Sequence, residues 1–355
     1  MEQNQDLNTM LQFLSQPAFL VQKGLITQVN TAATACCLQQ GMEFAPLLVT
    51  GLEEYKELTS GNLYVALNIS GIVRDACITV MDETQLVTVE EGLTQEKLQI
   101  LSLAATILRE PMNGLMALAD QFLPVAAGQD ARMQQQAALM NRRLYQMLRT
   151  VGNMSDASTF GDAGTMETIE ICGFFEEILE RIVELGQHSG IRLSYQIPHE
   201  PIFTLANTAK LERAVLNQLS NAMKFSAPDT EVQFRLTKKG NRLYISVTNI
   251  AEQPLPSGGF HNRFLRTPGM ESPKNGVGLG MLLMQNAAVI HGGAVLMEQT
   301  ADRVRVTLSL PIKRAKSPCV RSPILMPDYA GELDHNLIEL SDVLPADAYK
   351  LDKLI

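Results

Sequence analysis

Two stretches of heptad-spaced apolar residues constrain the fold of this chain more than any other feature. Within residues 92–155, apolar side chains recur at alternating spacings of three and four, which places them along one face of an α-helix. The first stretch contains Leu98, Leu101, Ala105, Leu108, Met112, Leu115, Ala119 and Phe122, and the second contains Met133, Ala137, Met140, Leu144, Met147, Val151 and Met154. Pro124 and a turn at residues 128–130 separate them. The pattern predicts an antiparallel helical hairpin over residues 91–157.

A hairpin of two helices buries too small an apolar face to be stable alone. Two copies that form a four-helix bundle would cover that face, so we predict a homodimer through the hairpin. A hairpin docked on another domain of the same chain is the alternative.

The composition of the 355 residues excludes several classes of protein. The hydrophobic fraction of 46% is typical of globular domains, and the length allows two or three of them. A net charge of -9 and the lack of any Lys/Arg-rich run argue against a nucleic-acid partner. We expect a cytoplasmic protein without a membrane span, because no apolar run reaches roughly 18 residues and the first residues do not resemble a signal peptide. The five cysteines show no CxxC spacing, which indicates reduced thiols.

Residues 1–90 alternate short β-like runs with small helical segments. PAFLVQKGLITQVN predicts two strands around a turn at residues 23–24, and residues 62–89 predict further antiparallel strands. The stretch AFLVQKGLITQVNTAA resembles the opening of a PAS domain, which implies a small α/β sensor module. A ligand-free dimerisation or relay module is the alternative, since no histidine that could bind haem precedes His188.

A Gly- and Ser-rich segment at residues 155–165 predicts a linker, after which helical and strand patterns alternate over residues 166–313. Mixed strands with helices on one face predict an α/β sandwich there. Residues 314–355 open with a basic, Pro- and Ser-rich linker and form a C-terminal tail. For this tail we predict either a docking helix near residues 335–343 or a solvated segment. The whole chain is therefore predicted to be an α+β multidomain protein.

The helix predicted at AKLERAVLNQLSNAMKFS groups three polar side chains that suit phosphate and a divalent cation. Asn217 and Asn221 are four residues apart and so lie on one face, and Lys224 follows three residues later. Mg²⁺ keeps much of its water and needs few oxygen ligands from a protein, so we assign Asn221 to Mg²⁺.

A glycine-rich turn stands just before the next predicted helix. NGVGLGM places Gly276, Gly278 and Gly280 at alternate positions, with Leu279 between the last two. Glycine permits positive φ and a close approach of the backbone to a ligand, and a helix N-terminus offers free N–H groups to phosphate. These residues are therefore candidates for binding a nucleotide.

The order of these motifs resembles the ATP-binding domain of the histidine kinases and their gyrase-type relatives. NQLSNAMKFS is similar to the N box, GVGLGMLLMQNAAVIHGG to the second glycine box, and FHNRFLR to the phenylalanine box that opens the nucleotide lid. With the hairpin, the resemblance to a sensor histidine kinase covers residues 92–313. It implies an ATP-binding fold of the histidine-kinase type, ATP with Mg²⁺ as cofactor, and Asn249 on the adenine side of the site. It also implies a response regulator or another signalling protein as partner.

Two positions that carry chemistry in that family differ here. The family's phosphoacceptor histidine aligns with Thr106 and its neighbouring acid with Ile107, so the usual autophosphorylation site is absent. Imidazole is nucleophilic near neutral pH, whereas a threonine hydroxyl needs an adjacent base. The family's DxGxG segment is replaced by NIAEQ, which starts at Asn249. A neutral acceptor for the adenine amino group in place of a charged one weakens ATP affinity about tenfold.

We therefore predict a degenerate histidine-kinase homologue, an ATP-binding pseudokinase that regulates a two-component-type pathway by conformation. One alternative is an active kinase that phosphorylates a partner in trans, for which Asn221 and Lys224 are retained. The other is a non-enzymatic scaffold whose C-terminal tail docks a regulator.

Overall fold

The computed structural model describes residues 10–90, 95–127, 130–159, 161–186, 192–252, 279–300, 302–313 and 333–350. The strands are β1 (Ala18–Gln22), β2 (Leu25–Val29), β3 (Asn62–Ile69), β4 (Ile72–Met81), β5 (Thr84–Val89), β6 (Glu167–Glu170), β7 (Arg192–Gln196), β8 (Phe203–Ala206), β9 (Glu231–Lys239), β10 (Arg242–Ile250), β11 (Ala294–Thr300) and β12 (Arg303–Pro311). The helices are α1 (Thr31–Ala35), α2 (Leu52–Glu57), α3 (Gln95–Ala127), α4 (Ala131–Ser158), α5 (Ile171–Gly186), α6 (Thr208–Phe225), α7 (Leu279–His291) and α8 (His335–Glu339). The chain is a mixed α+β protein, as the sequence predicts.

Ten strands form one sheet in the order β2-β1-β5-β4-β3-β11-β12-β10-β9-β7, and β6 pairs with β8 in a separate two-stranded sheet. Strands β1 to β5 are antiparallel neighbours and form one half of the large sheet. Five strands from the second half of the chain form the rest, in which β7 and β9 are parallel. The two halves meet where β3 pairs with β11.

The strands predicted within residues 1–90 are confirmed. Lys23 and Gly24 both have positive φ and turn the chain from β1 into the antiparallel β2. The buried side chain of Asn30 then caps α1, because its Oδ1 accepts hydrogen bonds from the backbone N–H groups of Ala33 and Ala18. One side chain thus fixes the start of the helix against the first strand.

In the second half of the chain, helices pack on the buried face of the sheet. Along β9 and β10 the side chains alternate between exposed or half-buried and buried, as expected for a sheet with one covered face. Phe175 of α5 contacts Phe234 of β9, with ring centroids 5.5 Å apart, and α6 and α7 join the same apolar core. This arrangement places one end of α6 beside the start of α7.

Helices α3 and α4, in the segment predicted to be a hairpin, pack against each other. In the first predicted seam Leu98 and Leu101 are half-buried, whereas from Ala105 onward every second position is buried, at Ala105, Met112 and Ala119. The positions between them stay 42 to 64% exposed, at Leu108, Leu115 and Phe122. The segment predicted as a linker from residue 155 begins inside α4, which continues to Ser158, since Asp156 there forms an ion pair with Arg213 of α6.

The junction between β3 and β11 is a close backbone contact. Tyr64 pairs with Val295, and Asn62 pairs with Met297. Gly61, at φ +84°, precedes this pairing, and a Cβ there would collide with the carbonyl oxygen of Met297. A glycine therefore permits the two halves of the sheet to join.

We predict that Gly61→Ala destabilises the chain more than Gly71→Ala. Both glycines have φ +84°, so both substitutions carry the same backbone strain of roughly 1–2 kcal/mol, whereas a Cβ at Gly71 meets no atom within 4 Å. The collision at Gly61 should add about 1–3 kcal/mol. Urea unfolding of the two variants measures the difference, and equal unfolding free energies would show that the β3–β11 contact is not formed.

Candidate functional site

The first turn of α6 is fixed by Asn207 and His291. The side chain of Asn207 accepts a hydrogen bond from the backbone N–H of Lys210 at 3.0 Å and caps the helix. The backbone N–H of Asn207 donates to Nε2 of His291 at 3.0 Å, so Nδ1 carries the proton and donates to the Ala287 carbonyl oxygen at 2.6 Å. Burial lowers the pKa of His291, which favours this neutral ring. His291 thus joins the start of α6 to the end of α7.

Asn217 and Asn221 of α6 lie beside the first residues of α7. A Cβ added at Gly280 would lie 2.9 Å from Oδ1 of Asn217 and 3.5 Å from Nδ2 of Asn221. A larger residue at this position would push into the carboxamides. The two predicted asparagines and the last glycine of the predicted turn therefore lie together, and Leu279 is the first residue of α7.

The end of β10 lies beside the end of α6. Backbone hydrogen bonds of 2.9 and 3.0 Å join residues 225–227 to residues 250–252. They bring Asn249, which is 6% exposed, to the same end of the domain as Lys224.

Gly276, Gly278 and the phenylalanine box predicted at residues 260–266 lie outside the described residues. The described part of the predicted site therefore consists of α6, the start of α7 and the end of β10.

Thr106, predicted to align with the family's phosphoacceptor, lies on an exposed face of α3. The hydroxyl of Thr106 donates a hydrogen bond to the backbone carbonyl oxygen of Ser102 at 2.8 Å. The side chain of Ile107 is 61% exposed. The hydroxyl is thus bonded to its own helix, and its neighbour offers no acid or base.

A buried charge cluster beside Asn217 was not predicted from the sequence. Its centre is Arg149 of α4, which is 7% exposed. The guanidinium donates from Nη2 to Oδ1 of Asn217 at 3.4 Å and from Nε to Oε2 of Glu339 at 3.1 Å. Its Nη1 lies 2.9 Å from Oδ2 of Asp342. The hairpin, the predicted site and the C-terminal tail meet at this one side chain.

Two further cations complete the charge cluster. Nζ of Lys224 lies 3.0 Å from Oδ2 of Asp342, and Nη2 of Arg213 lies 3.1 Å from Oε1 of Glu339. Burial alone would disfavour the carboxylate of Asp342, but Arg149 and Lys224 outweigh it and hold the pKa of Asp342 below its usual value. Asp342 is therefore ionised near neutral pH, and Glu339 lies against Arg149 and Arg213.

Residues 333–350, the part of the predicted tail that the structure describes, carry these carboxylates and are packed against the rest of the molecule and not solvated. Of the docking helix predicted near residues 335–343, the first part is helical in the structure, as α8 (His335–Glu339). Leu337, Ile338, Leu340, Leu344 and Tyr349 are each at most 2% exposed. The segment therefore belongs to the core of the molecule.

Comparisons with known proteins identify an ATPase family over the residues that contain this candidate site. Residues 206–314 match the family described as histidine kinase-, DNA gyrase B-, and HSP90-like ATPase. The chain is 24% identical over 225 residues to the sensor histidine kinase RppB of Synechocystis, which covers 61% of this chain and 50% of RppB. It is 24% identical over 258 residues to the sensor histidine kinase CpxA of Escherichia coli, which covers 72% of this chain and 56% of CpxA. The chain is a histidine-kinase homologue.

This histidine-kinase homologue spans about half the length of the curated relatives it matches. Among solved structures, full-length ShkA in complex with AMPPNP gives a TM-score of 0.46 at 19% identity, over 62% of this chain and 47% of ShkA. Within its described residues, no helix combines the length and the apolar character that crossing a bilayer requires.

We predict that Arg149→Met destabilises the homologue by about 3 kcal/mol, the lower end of the cost of breaking a buried pair, because Arg213 still faces Glu339. Arg181→Met is the matched control. Its ion pairs with Asp334 and Glu184 involve an arginine side chain that is 41% exposed, so the loss should be at most about 1 kcal/mol. Urea unfolding gives both values, and a control loss as large as that of Arg149→Met would contradict a buried charge cluster.

Proposed function

We propose that this histidine-kinase homologue is a signal-transduction protein that binds ATP with Mg²⁺ and regulates a partner by conformation, without phosphorylating itself at the family's usual position. The observation that carries the proposal is the meeting of Asn217, Asn221 and Gly280 at the start of α7. Polar groups four residues apart on one helix and a glycine at the next helix start suit a chain of phosphates.

The donor set fits a nucleotide with a hard cation. Asn221 would supply a carboxamide oxygen to Mg²⁺, a ligand type that this ion accepts, and Lys224 would face phosphate oxygens as a point charge. Backbone N–H groups at the start of α7 would favour the same anion. Asn249 would accept from the adenine amino group as a neutral side chain, which supports weaker binding than an aspartate would give. Bound Mg²⁺ would neutralise phosphate charge.

The absence of self-phosphorylation is proposed from the surroundings of Thr106. Its hydroxyl bonds to the Ser102 carbonyl, and Ile107 carries no group that could accept a proton. A hydroxyl without an activating base is a poor nucleophile. The site can therefore hold a nucleotide while the aligned position on α3 lacks a group that would take up its phosphate.

Calorimetric titration of the full chain with ATP and Mg²⁺ tests the binding. Asn221→Ala should weaken it at least tenfold, because an oxygen ligand for the cation is lost. Asn249→Asp should strengthen it about tenfold, because a charged acceptor replaces a neutral one. Asn113→Ala, an exposed position on α3, is the control and should leave the affinity unchanged.

The same chain is then incubated with γ-labelled ATP. We expect no label on the chain itself. A phosphorylated side chain on this protein would contradict the regulatory proposal, and label transferred only to an added response regulator would instead support a kinase that acts in trans. If none of the variants gives a heat of binding, the non-enzymatic scaffold is the alternative that remains.

We further propose a homodimer through the hairpin. On α3, the exposed apolar residues form one side of the helix, opposite the polar Ser102, Thr106 and Asn113. Helix α4 adds exposed methionines at positions 133, 140 and 147. A second copy of this face would cover these side chains, which one copy leaves in water.

Leu115→Glu combined with Leu118→Glu should convert a dimer to a monomer. The two leucines are 46 and 51% exposed in one copy, and charges at a buried helix seam should weaken association by at least about 100-fold. Light scattering over a concentration series measures the mass. Asn113→Glu, which adds a charge to the polar side of the same helix, should remain dimeric; a monomeric wild-type chain would refute the proposal.

The region before the hairpin is proposed to sense or relay a signal. Its five antiparallel strands and the short helix after β2 support a PAS-like module, and its sheet continues into the ATPase-family domain through β3 and β11. A response regulator or another signalling protein is the proposed partner, from the family resemblance.

A further inference from the structure

The C-terminal segment, residues 333–350, lies across the hairpin and the ATPase-family domain. Helix α8 contacts α4, α5 and α6. The ring of Tyr349 packs edge-on against Tyr145 of α4, with centroids 5.1 Å apart, and its hydroxyl donates to the Leu337 carbonyl oxygen at 2.8 Å. The segment therefore has one defined position on the rest of the molecule.

Side chains of α4 hold the backbone of this segment. Asn141 donates to the carbonyl oxygen of Tyr349 at 3.1 Å. Arg142 and Gln146 both donate to the carbonyl oxygen of Ser341, each at 3.0 Å. Contacts to backbone carbonyls fix the path of the chain, and with it the position of the acidic side chains between residues 338 and 343.

Those acidic side chains point to groups proposed to bind the nucleotide. Asp342 contacts Lys224 at 3.0 Å, and through Arg149 it is linked to the oxygen of Asn217. Glu339, 2% exposed, contacts Arg149 from the other side. Carboxylates of the chain thus stand beside α6 and provide the negative charge that a phosphate would otherwise provide.

We infer that residues 333–350 are an intramolecular ligand of the nucleotide site, which competes with ATP for Lys224 and Asn217. The inference rests on the proposed function and adds its regulation. Asp342 already pairs with the ammonium of Lys224, so a phosphate must compete with it for that charge, and a triphosphate is repelled by the carboxylates of Asp342 and the buried Glu339. Because coupling is reciprocal, a bound nucleotide must loosen the segment as much as the segment weakens the nucleotide.

The first test compares ATP and Mg²⁺ affinity by calorimetry in full-length variants. Glu339→Gln combined with Asp342→Asn keeps the shape of both side chains but removes their charge and replaces one acceptor oxygen in each with an NH2 donor, and should tighten binding at least tenfold. Asp334→Asn is the matched control. It removes a carboxylate from the same segment, but one whose partner is Arg181 on α5, away from Lys224. Its affinity should equal that of the wild-type chain.

The second test uses the wild-type chain and so does not depend on how the variants fold. Backbone N–H groups of Ile338, Leu340 and Val343 are hydrogen-bonded within the segment. Saturation with ATP and Mg²⁺ should speed their hydrogen–deuterium exchange at least tenfold, while N–H groups of α6 exchange more slowly.

The outcomes separate the two proposals. Nucleotide binding with equal affinity in all variants, or with unchanged exchange at residues 338–343, overturns the competition but leaves the proposed function in place. If neither the wild-type chain nor the charge-removed variant nor the control binds ATP, the proposed nucleotide function is refuted, and the competition with it.

Discussion

The guanidinium of Arg149 determines how the three parts of this molecule are placed. Its nitrogens reach an asparagine of α6 and two carboxylates of the tail, while its own helix belongs to the hairpin. A buried ion pair adds little net stability compared with well-packed apolar side chains, but removing one partner is costly. Such a cluster therefore favours one arrangement of the three parts over other arrangements that would bury a similar apolar area. The apolar residues of the segment at 333–350 supply the attraction, and the charges fix its register on α4 and α6.

A second constraint is the shared sheet. Strand β11 follows α7 directly through Gly292 and Gly293, and no side chain fits at Gly293 because a Cβ there would overlap the Ser309 carbonyl. Since β11 also pairs with β3, the end of α7 is held in a fixed relation to the N-terminal half. His291 extends this relation to the cap of α6. A displacement of β3 would thus act on both helices that line the predicted site.

Local patterns explain which features could be predicted from the sequence. The asparagines of α6 are one turn apart, so their shared face follows from helix geometry, and the alternating strands of the first half carry their own turn signals. The burial of Arg149 could not be predicted, because a charged residue in an amphipathic helix is normally solvated and its carboxylate partners lie about 190 residues further along the chain. The pairing of β3 with β11 likewise depends on two edges that come together only in the folded chain. The one available signal was the apolar, acidic pattern near residues 335–343, which suits docking as well as solvation.

The proposed site has the carboxamides of Asn217 and Asn221, while Thr106 stands where the family's phosphoacceptor histidine is predicted to align. These two features are compatible if nucleotide binding and phosphoryl transfer have separate requirements. Transfer needs a nucleophile with an activating base, whereas binding needs only polar groups in a fixed geometry. In the proposed nucleotide site, a neutral side chain at Asn249 would lower the ATP affinity. A docked segment would lower the apparent affinity in proportion to the fraction of time that it is released, so a segment released about 1% of the time would reduce it about 100-fold. A site weakened in these two ways responds to any influence that shifts the segment. Because the tail contacts Arg149 and Lys224 in the proposed site, the N-terminal half or a partner on the hairpin could shift nucleotide occupancy by shifting the tail.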